Sequence, residues 1–272
     1  MNAATMRPLR TMPQETRVAI RGILTDIDDT LTTNGRLPAV AYAALERLSA
    51  AGKLVIPITG RPAGWCDHIA RMWPVDAVVG ENGAFFMRYD RKTHKLEKRF
   101  VDDDATRQAN RARLAAIGDA ILRDVPGAAL ASDQRYREAD LAIDFREDVP
   151  ELPRAAVDRI VGIMNAQGMT AKVSSIHVNG WFGTYDKLSM TKRMLAESFA
   201  IDLDAERERF IFVGDSPNDA PMFAFFPNAV GVANIRAFAD RIPTLPAYVT
   251  ERAGGEGFAE LAETLLEARS AN

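Results

Sequence analysis

Near the start of the chain an apolar run ends on three carboxylates. Ile20, Ile23, Leu24 and Ile27 have strand character, and Asp26, Asp28 and Asp29 fall within four positions, ahead of Thr30-Leu31-Thr32. Like charges gathered at the end of a strand repel one another, so they need either water around them in a turn or a cation among them. Taken alone, the triplet fits the solvated turn. Whether it is more depends on what the rest of the chain brings beside it.

The same design recurs downstream. Pro38 opens a helical pattern with Val40, Ala44, Leu45 and Leu48 on one face, and Gly52 follows as a helix-ending residue. Leu54 to Thr59 is a second apolar strand that ends in Gly60-Arg61-Pro62. A helix from Ala63 to Trp73 stops at Pro74, and Val75 to Val79 is a third strand, ending in Gly80-Glu81-Asn82-Gly83. Strand–helix alternation with short links predicts an α/β fold, a Rossmann-like three-layer core around a parallel sheet. Ligands of such sheets lie beyond the carboxyl ends of the strands, which would bring Asp26, Thr59 and Asn82 together.

The middle of the chain breaks the rhythm. Helical patterns at 105–123 and 153–167, with short strands at 128–131, 141–145, 169–174 and 176–181, predict an inserted α+β cap over residues 89–183. The core would then comprise residues 18–88 and 184–272, and residues 1–17 read as a mobile N-terminal arm. From Lys187 the α/β pattern returns with a helix at 189–199, a strand at 209–213 ending in Gly214-Asp215-Ser216-Pro217-Asn218-Asp219, a short helix at 221–225, strands at 229–232 and 247–250, and a closing helix at 257–269.

Charge and composition exclude several classes. The 272 residues carry 34 basic and 37 acidic side chains, a net −3, so there is no electrostatic case for nucleic acid or an anionic membrane. No run approaches the roughly 18 apolar residues that cross a bilayer. The N-terminal segment has arginines but no apolar core of a secretory signal. One cysteine, Cys66, fits a reducing, cytoplasmic setting and reads as a packing residue. Oligomeric state is not readable.

Two strands now end in acid-rich turns. If both lie in one sheet, Asp26, Asp28, Asp215 and Asp219 surround one point, a hard oxygen set suited to Mg²⁺. Such an ion commonly clamps phosphate. Thr59, with Gly60, offers a hydroxyl and amides, and Lys187 a full positive charge. Each has a plainer reading: Lys187 as a surface lysine, Thr59 as a strand-end cap, Asn218-Asp219 as a helix cap, Asn82 as a turn residue. Their shared slot at the strand ends favours one site over separate coincidences.

These motifs resemble the haloacid dehalogenase superfamily of phosphatases. Asp26-Ile27-Asp28-Asp29-Thr30-Leu31 resembles the first motif, Ile58-Thr59-Gly60-Arg61-Pro62 the second, Lys187 with its helix the third, and Gly214-Asp215-Ser216-Pro217-Asn218-Asp219 the fourth. Gly80-Glu81-Asn82-Gly83-Ala84 and the tail at 247–257 resemble the Cof-like, sucrose-phosphatase-like subgroup with an α/β cap. The chain departs from that subgroup at Asp29, where Gly is common, and at Leu188-Ser189 after the lysine, leaving Lys192 and Lys172 as substitutes for Lys187. The resemblance implies Asp26 as nucleophile, Asp28 as acid and base, and Mg²⁺ held by Asp26, the Asp28 carbonyl and Asp215, with Asn218 or Asp219 orienting its shell. Thr59 and Lys187 would bind the transferring phosphoryl group. Gly60, Arg61 and Asn82, with Lys172, His177, Asn179 and Tyr185 from the cap, are expected to contact phosphate or substrate, a small phosphorylated metabolite such as a sugar or polyol phosphate. A phosphomutase would need cap arginines, for which Arg135, Arg137 and Arg146 are available. A receiver-like regulatory module shares the acids, Thr and Lys but is much shorter and lacks an insert.

Overall fold

The computed structural model describes residues 6–267; residues 1–5 of the expected arm and the last turn expected at 268–269 lie outside the described residues. The chain begins with β1 (Arg7–Pro8) and α1 (Gln14–Ala19), then runs β2 (Gly22–Thr25), α2 (Ala39–Ala50), β3 (Leu54–Pro57), α3 (Ala63–Met72) and β4 (Val78–Gly80). A hairpin follows, β5 (Phe85–Asp90) and β6 (Lys95–Phe100). Next come α4 (Asp104–Asp124), β7 (Ala129–Leu130), β8 (Asp140–Asp144), α5 (Arg154–Ala166), β9 (Thr170–Val173) and β10 (His177–Trp181). The return segment holds α6 (Lys187–Phe199), α7 (Leu203–Glu206), β11 (Phe210–Gly214), α8 (Ala220–Phe225), β12 (Val230–Gly231), β13 (Tyr248–Val249) and α9 (Gly254–Glu267).

The central sheet has the order β1-β13-β12-β11-β2-β3, every pair parallel, and a parallel bridge from Ile58 to Val79 carries it on to β4. Successive side chains of a strand point to opposite faces, and both faces here are apolar. Ile23, Val55, Ile211 and Val213 pack against α2, α3 and α9, while Leu24, Ile56, Phe210 and Phe212 pack against α6 and α8. A parallel sheet buried on both sides between helices is the three-layer core that the sequence predicts.

The N-terminal segment corrects the mobile-arm expectation. Leu9 and Met12 are buried, and Arg7 and Pro8 pair with Tyr248 and Val249. Arginines at 7, 10 and 17 masked the few apolar side chains that dock this segment.

The insert is smaller than expected from the sequence. Residues 85–100, charged on one face, form the β5–β6 hairpin on β4, and Phe85, Met87, Leu96 and Phe100 pack into the core. The four-stranded sheet β7-β8-β10-β9 is antiparallel and has a separate apolar cluster. There Leu141, Ile143 and Val178 meet Ile117, Ile121, Ile160 and Met164 of α4 and α5. The alternate positions Asp140, Asp144, His177 and Asn179 are buried without joining that cluster, so they lie on the sheet's other face.

Candidate active site

The acidic turns meet because their strands are neighbours. β2 pairs with β11 so that Thr25 lies opposite Val213, and the Asp26 amide continues the ladder to the Val213 carbonyl at 2.8 Å. Asp26 and Asp215 therefore leave the sheet side by side. Thr59 and Asn82 follow β3 and β4 at the same end, joined by a bond from the Asn82 amide to the Thr59 carbonyl. Lys187 is the first residue of α6. Asp186 caps that helix, accepting from the Ser189 amide at 2.7 Å while its own amide donates to Ser189 Oγ at 2.9 Å. The unusual Ser189 thus serves to fix the turn that aims Lys187.

Lys187 Nζ donates to Asp26 Oδ1 at 3.1 Å and to Asp219 Oδ1 at 2.7 Å. Asp26, Asp215 and Asp219 each offer an oxygen within 4.8 Å of the others, and all three are buried. Burial pushes the Asp26 carboxyl up to about 7, against the pull of Lys187, with Asp219 and Asp28 adding to the rise. Burial likewise drives Asp215 well above the usual carboxylate range, helped by Asp219 and Asp26. Burial would lower Lys187, yet Asp219 and Asp26 hold it up. Three carboxylates facing one ammonium leave two negative charges when all are ionised. This donor set and charge deficit fit a divalent cation. Asp215 is further oriented by Thr30 Oγ1 at 3.3 Å and Asn234 Nδ2 at 3.1 Å.

Asp28 faces away from this cluster, toward the cap. Arg61 covers both its oxygens, with Nη2 at 2.7 Å from Oδ1 and Nε at 3.0 Å from Oδ2. The same guanidinium reaches Glu147 Oε1 at 2.6 Å and Asp133 Oδ2 at 3.3 Å, both from the insert. His177 Nε2 lies 2.9 Å from Glu147 Oε2. Burial opposes the charge on Glu147, but His177 and Arg61 outweigh it and hold the carboxyl down at about 2. Arg137 ties the layers together by donating to the Gly60 carbonyl at 2.8 Å while paired with Asp133 and Asp140. Glu81 is the second tie. Its fully buried carboxylate accepts from the amides of Ala63, Glu138, Ala139 and Asp140 at 2.6–3.2 Å.

With this geometry in place, the chain can be set beside known proteins. The family model for haloacid dehalogenase-like hydrolases matches residues 23–119. A phosphoglycolate phosphatase of Methanothrix thermoacetophila is 26% identical over 253 residues, covering 92% of this chain and 98% of that protein. Over residues 23–119 the chain is thus similar to the haloacid dehalogenase-like hydrolases. Its fold is shared by solved structures. The C-terminal domain of a C. albicans trehalose-6-phosphate phosphatase superposes with a TM-score of 0.72 at 16% identity, over 98% of this chain and 99% of that one. The sucrose-phosphatase of Synechocystis sp. gives 0.59 at 16% identity, over 92% and 96%.

In this chain Asp26, Asp28, Thr59, Lys187, Asp215, Asn218 and Asp219 gather at one end of the sheet. Asp26, Asp28, Gly60, Arg61, His177, Asn179 and Asn218 line one small cavity of about 10 Å³. Asn82 packs against Gly60, its Nδ2 buried with no partner. Asn179 donates to Asp140 Oδ2 at 2.9 Å. Lys192 pairs with Asp204 at 2.6 Å and Lys172 is exposed on the cap's outer strand, so neither replaces Lys187. Tyr185 stacks on Trp181 in the core rather than facing the cavity. The three arginines that a mutase would need line three different cavities.

Glu147, Asp133, Glu81 and Asn234 escaped the sequence reading. Glu147 and Asp133 sit in weakly patterned cap segments, and Asn234 lies in a loop after β12. Glu81 and Asn82 carried a signal in the Glu-Asn-Gly run, since both adopt left-handed backbone, at φ 44° and 56°. Asp29 also does, at φ 54°, which explains why glycine suits that position. Its backbone is what the site uses: the amide donates to Thr32 Oγ1 and the carbonyl accepts from Asn234.

Gly83 (φ 107°) sets the height of Lys187. A Cβ there would stand 2.1 Å from the Asp186 carbonyl oxygen. Gly83→Ala is expected to push the α6 start outward and weaken the Lys187–Asp26 contact. It should destabilise the protein by about 2–4 kcal/mol and cut turnover by about 10²-fold. Urea unfolding and initial rates measure the two effects.

Proposed function

We propose that this phosphatase hydrolyses a small phosphorylated metabolite, a sugar or polyol phosphate, by way of a phosphoryl group carried on Asp26, with Mg²⁺ as cofactor. The observation that carries the reading is the Asp26–Lys187–Asp219–Asp215 cluster at the sheet's carboxyl end, with Asp28 turned toward the cap. The sugar-phosphate phosphatases among the similar folds support the substrate class.

Asp26 attacks phosphorus, the P–O bond to the leaving alcohol breaks, and Asp28 gives that oxygen its proton. A water then attacks the phosphorus held on Asp26, Asp28 takes a proton from that water, the bond from phosphorus to Asp26 breaks, and phosphate departs. Splitting one displacement into two lowers each barrier. Proton transfer by Asp28 is worth about 10²–10⁴-fold. Thr59 Oγ1 accepts from the Arg61 amide at 3.0 Å, which leaves its own hydrogen to donate to a phosphoryl oxygen. Lys187 is placed to offset charge on the same group. A Mg²⁺ held by Asp26, Asp215 and the Asp28 carbonyl, with Asn218 and Asp219 orienting its shell, would neutralise the remaining carboxylate charge and polarise the phosphoryl group. Phosphate release across a panel of sugar, polyol and glycolate phosphates, with Mg²⁺ and with chelator, tests the reading. Release that chelator leaves unchanged contradicts it.

A pH dependence follows from Asp26 at about 7. The raised acid is protonated below that pH, and the cation needs it ionised, so binding must expel the proton. Mg²⁺ affinity is expected to rise about tenfold per unit between pH 5.5 and 7 and to level off above. Calorimetric titration in buffers of different ionisation heat should show proton release. An affinity flat across that range contradicts the prediction.

A further inference from the structure

The cavity at Asp26, about 10 Å³, is far too small for a leaving group. Enlarging it by lifting the cap would break the bonds from the Glu138, Ala139 and Asp140 amides to Glu81 and the Arg137 bond to the Gly60 carbonyl. A second cavity of about 570 Å³ lies beside it, between α3, the segment after Ile27 and Tyr136 of the cap. The two share only Asp28 and Arg61. The larger one has aromatic walls, with Trp65 and Tyr136 42% and 44% exposed and Trp73 nearby, and His68 adds a polar edge. The Arg61 guanidinium sits 4.4 Å from the centre of the Trp65 ring while bound to Asp28 and Glu147.

We propose that this lateral cavity is the leaving-group pocket of the hydrolase, shaped for a sugar ring, and that Arg61 is the gate between it and Asp26. The inference rests on the phosphatase reading above. Exposed aromatic faces beside polar groups match a ring whose C–H faces are apolar and whose hydroxyls need partners. Arg61 blocks the passage in the state described. When it parts from Asp28 it frees a Trp65 face for the ring and, in the same motion, frees Asp28 to meet the leaving oxygen. The volume also exceeds what a two-carbon leaving group requires.

The test compares kcat/KM for glucose 6-phosphate and for acetyl phosphate in the wild type, Trp65→Ala and Trp65→Phe. The ratio of the two values is expected to fall roughly tenfold in Trp65→Ala, through KM, and to recover in Trp65→Phe. Quenching of tryptophan fluorescence by glucose 6-phosphate should fall in parallel in an Asp26→Asn background, where turnover does not interfere. An unchanged ratio, or a wild type that prefers 1-naphthyl phosphate to every hexose phosphate, overturns the pocket assignment. Failure to hydrolyse even acetyl phosphate would instead overturn the phosphatase reading.

Discussion

Asp26→Asn is expected to abolish Mg²⁺-dependent release of p-nitrophenol from p-nitrophenyl phosphate, a loss of at least about 10⁴-fold. Asn has the size and shape of Asp, so it fits the buried position and keeps a donor–acceptor pair near Lys187, but it cannot attack phosphorus as a carboxylate does. Removing one of three crowded acids also relieves repulsion with Asp215 and Asp219, so the metal-free variant should be as stable as the wild type or more so. Loss of activity together with retained stability separates a missing nucleophile from a damaged fold. Undiminished turnover would show that another group attacks.

The second large effect concerns Glu81. Glu81→Ala leaves the amides of Ala63, Glu138, Ala139 and Asp140 without their acceptor at the seam between the two layers. The expected destabilisation is about 3–5 kcal/mol, because orphaned buried donors cost more than the pairing itself gains. Glu81→Gln should recover only part of it, since its amide nitrogen presents hydrogens to other donors. Burial, reinforced by Asp140, raises the Glu81 carboxyl to about 8, from an unfolded value of 4.5. A raised acid contributes stability that is whole below the unfolded value and is lost as pH rises through the folded one. Wild-type stability should therefore decline between about pH 4.5 and 8, and the decline should be shallower in Glu81→Ala. Chemical denaturation at several pH values measures both. A variant as stable as the wild type would mean that water replaces the carboxylate at no cost.

Much of the core is legible in the chain because its signals are local. Each strand is an apolar run stopped by a turn, and parallel pairing carries Asp26, Thr59, Asn82 and Asp215 to one end whatever the details. The Arg61 network is not local. Asp28, Asp133 and Glu147 lie 33, 72 and 86 positions from Arg61. Nothing in the composition of residues 133–147 marks Asp133 and Glu147 as members of an active site, and both lie in turns on either side of β8, outside any strand pattern. The hairpin at 85–100 was hidden for a related reason: its outer part is charged, which mimics an insert boundary, while Phe85, Phe86 and Met87 at its start are fully buried.

The N-terminal strand has a bearing on how copies of the protein meet. Arg7 and Pro8 occupy the outer flank of the central sheet, and the Arg7 amide donates to the Ala247 carbonyl at 3.0 Å. Pro8 has no amide hydrogen to offer a further strand, and Arg7 places a charge there. A two-residue strand with that composition is a poor template for another chain. The flank of β13 behind it, Tyr248 and Val249, is apolar and buried. The segment thus acts as a terminator of sheet growth. Proteolytic trimming through Met12 would uncover that flank and leave its main-chain groups open to pairing with the same flank of a second copy.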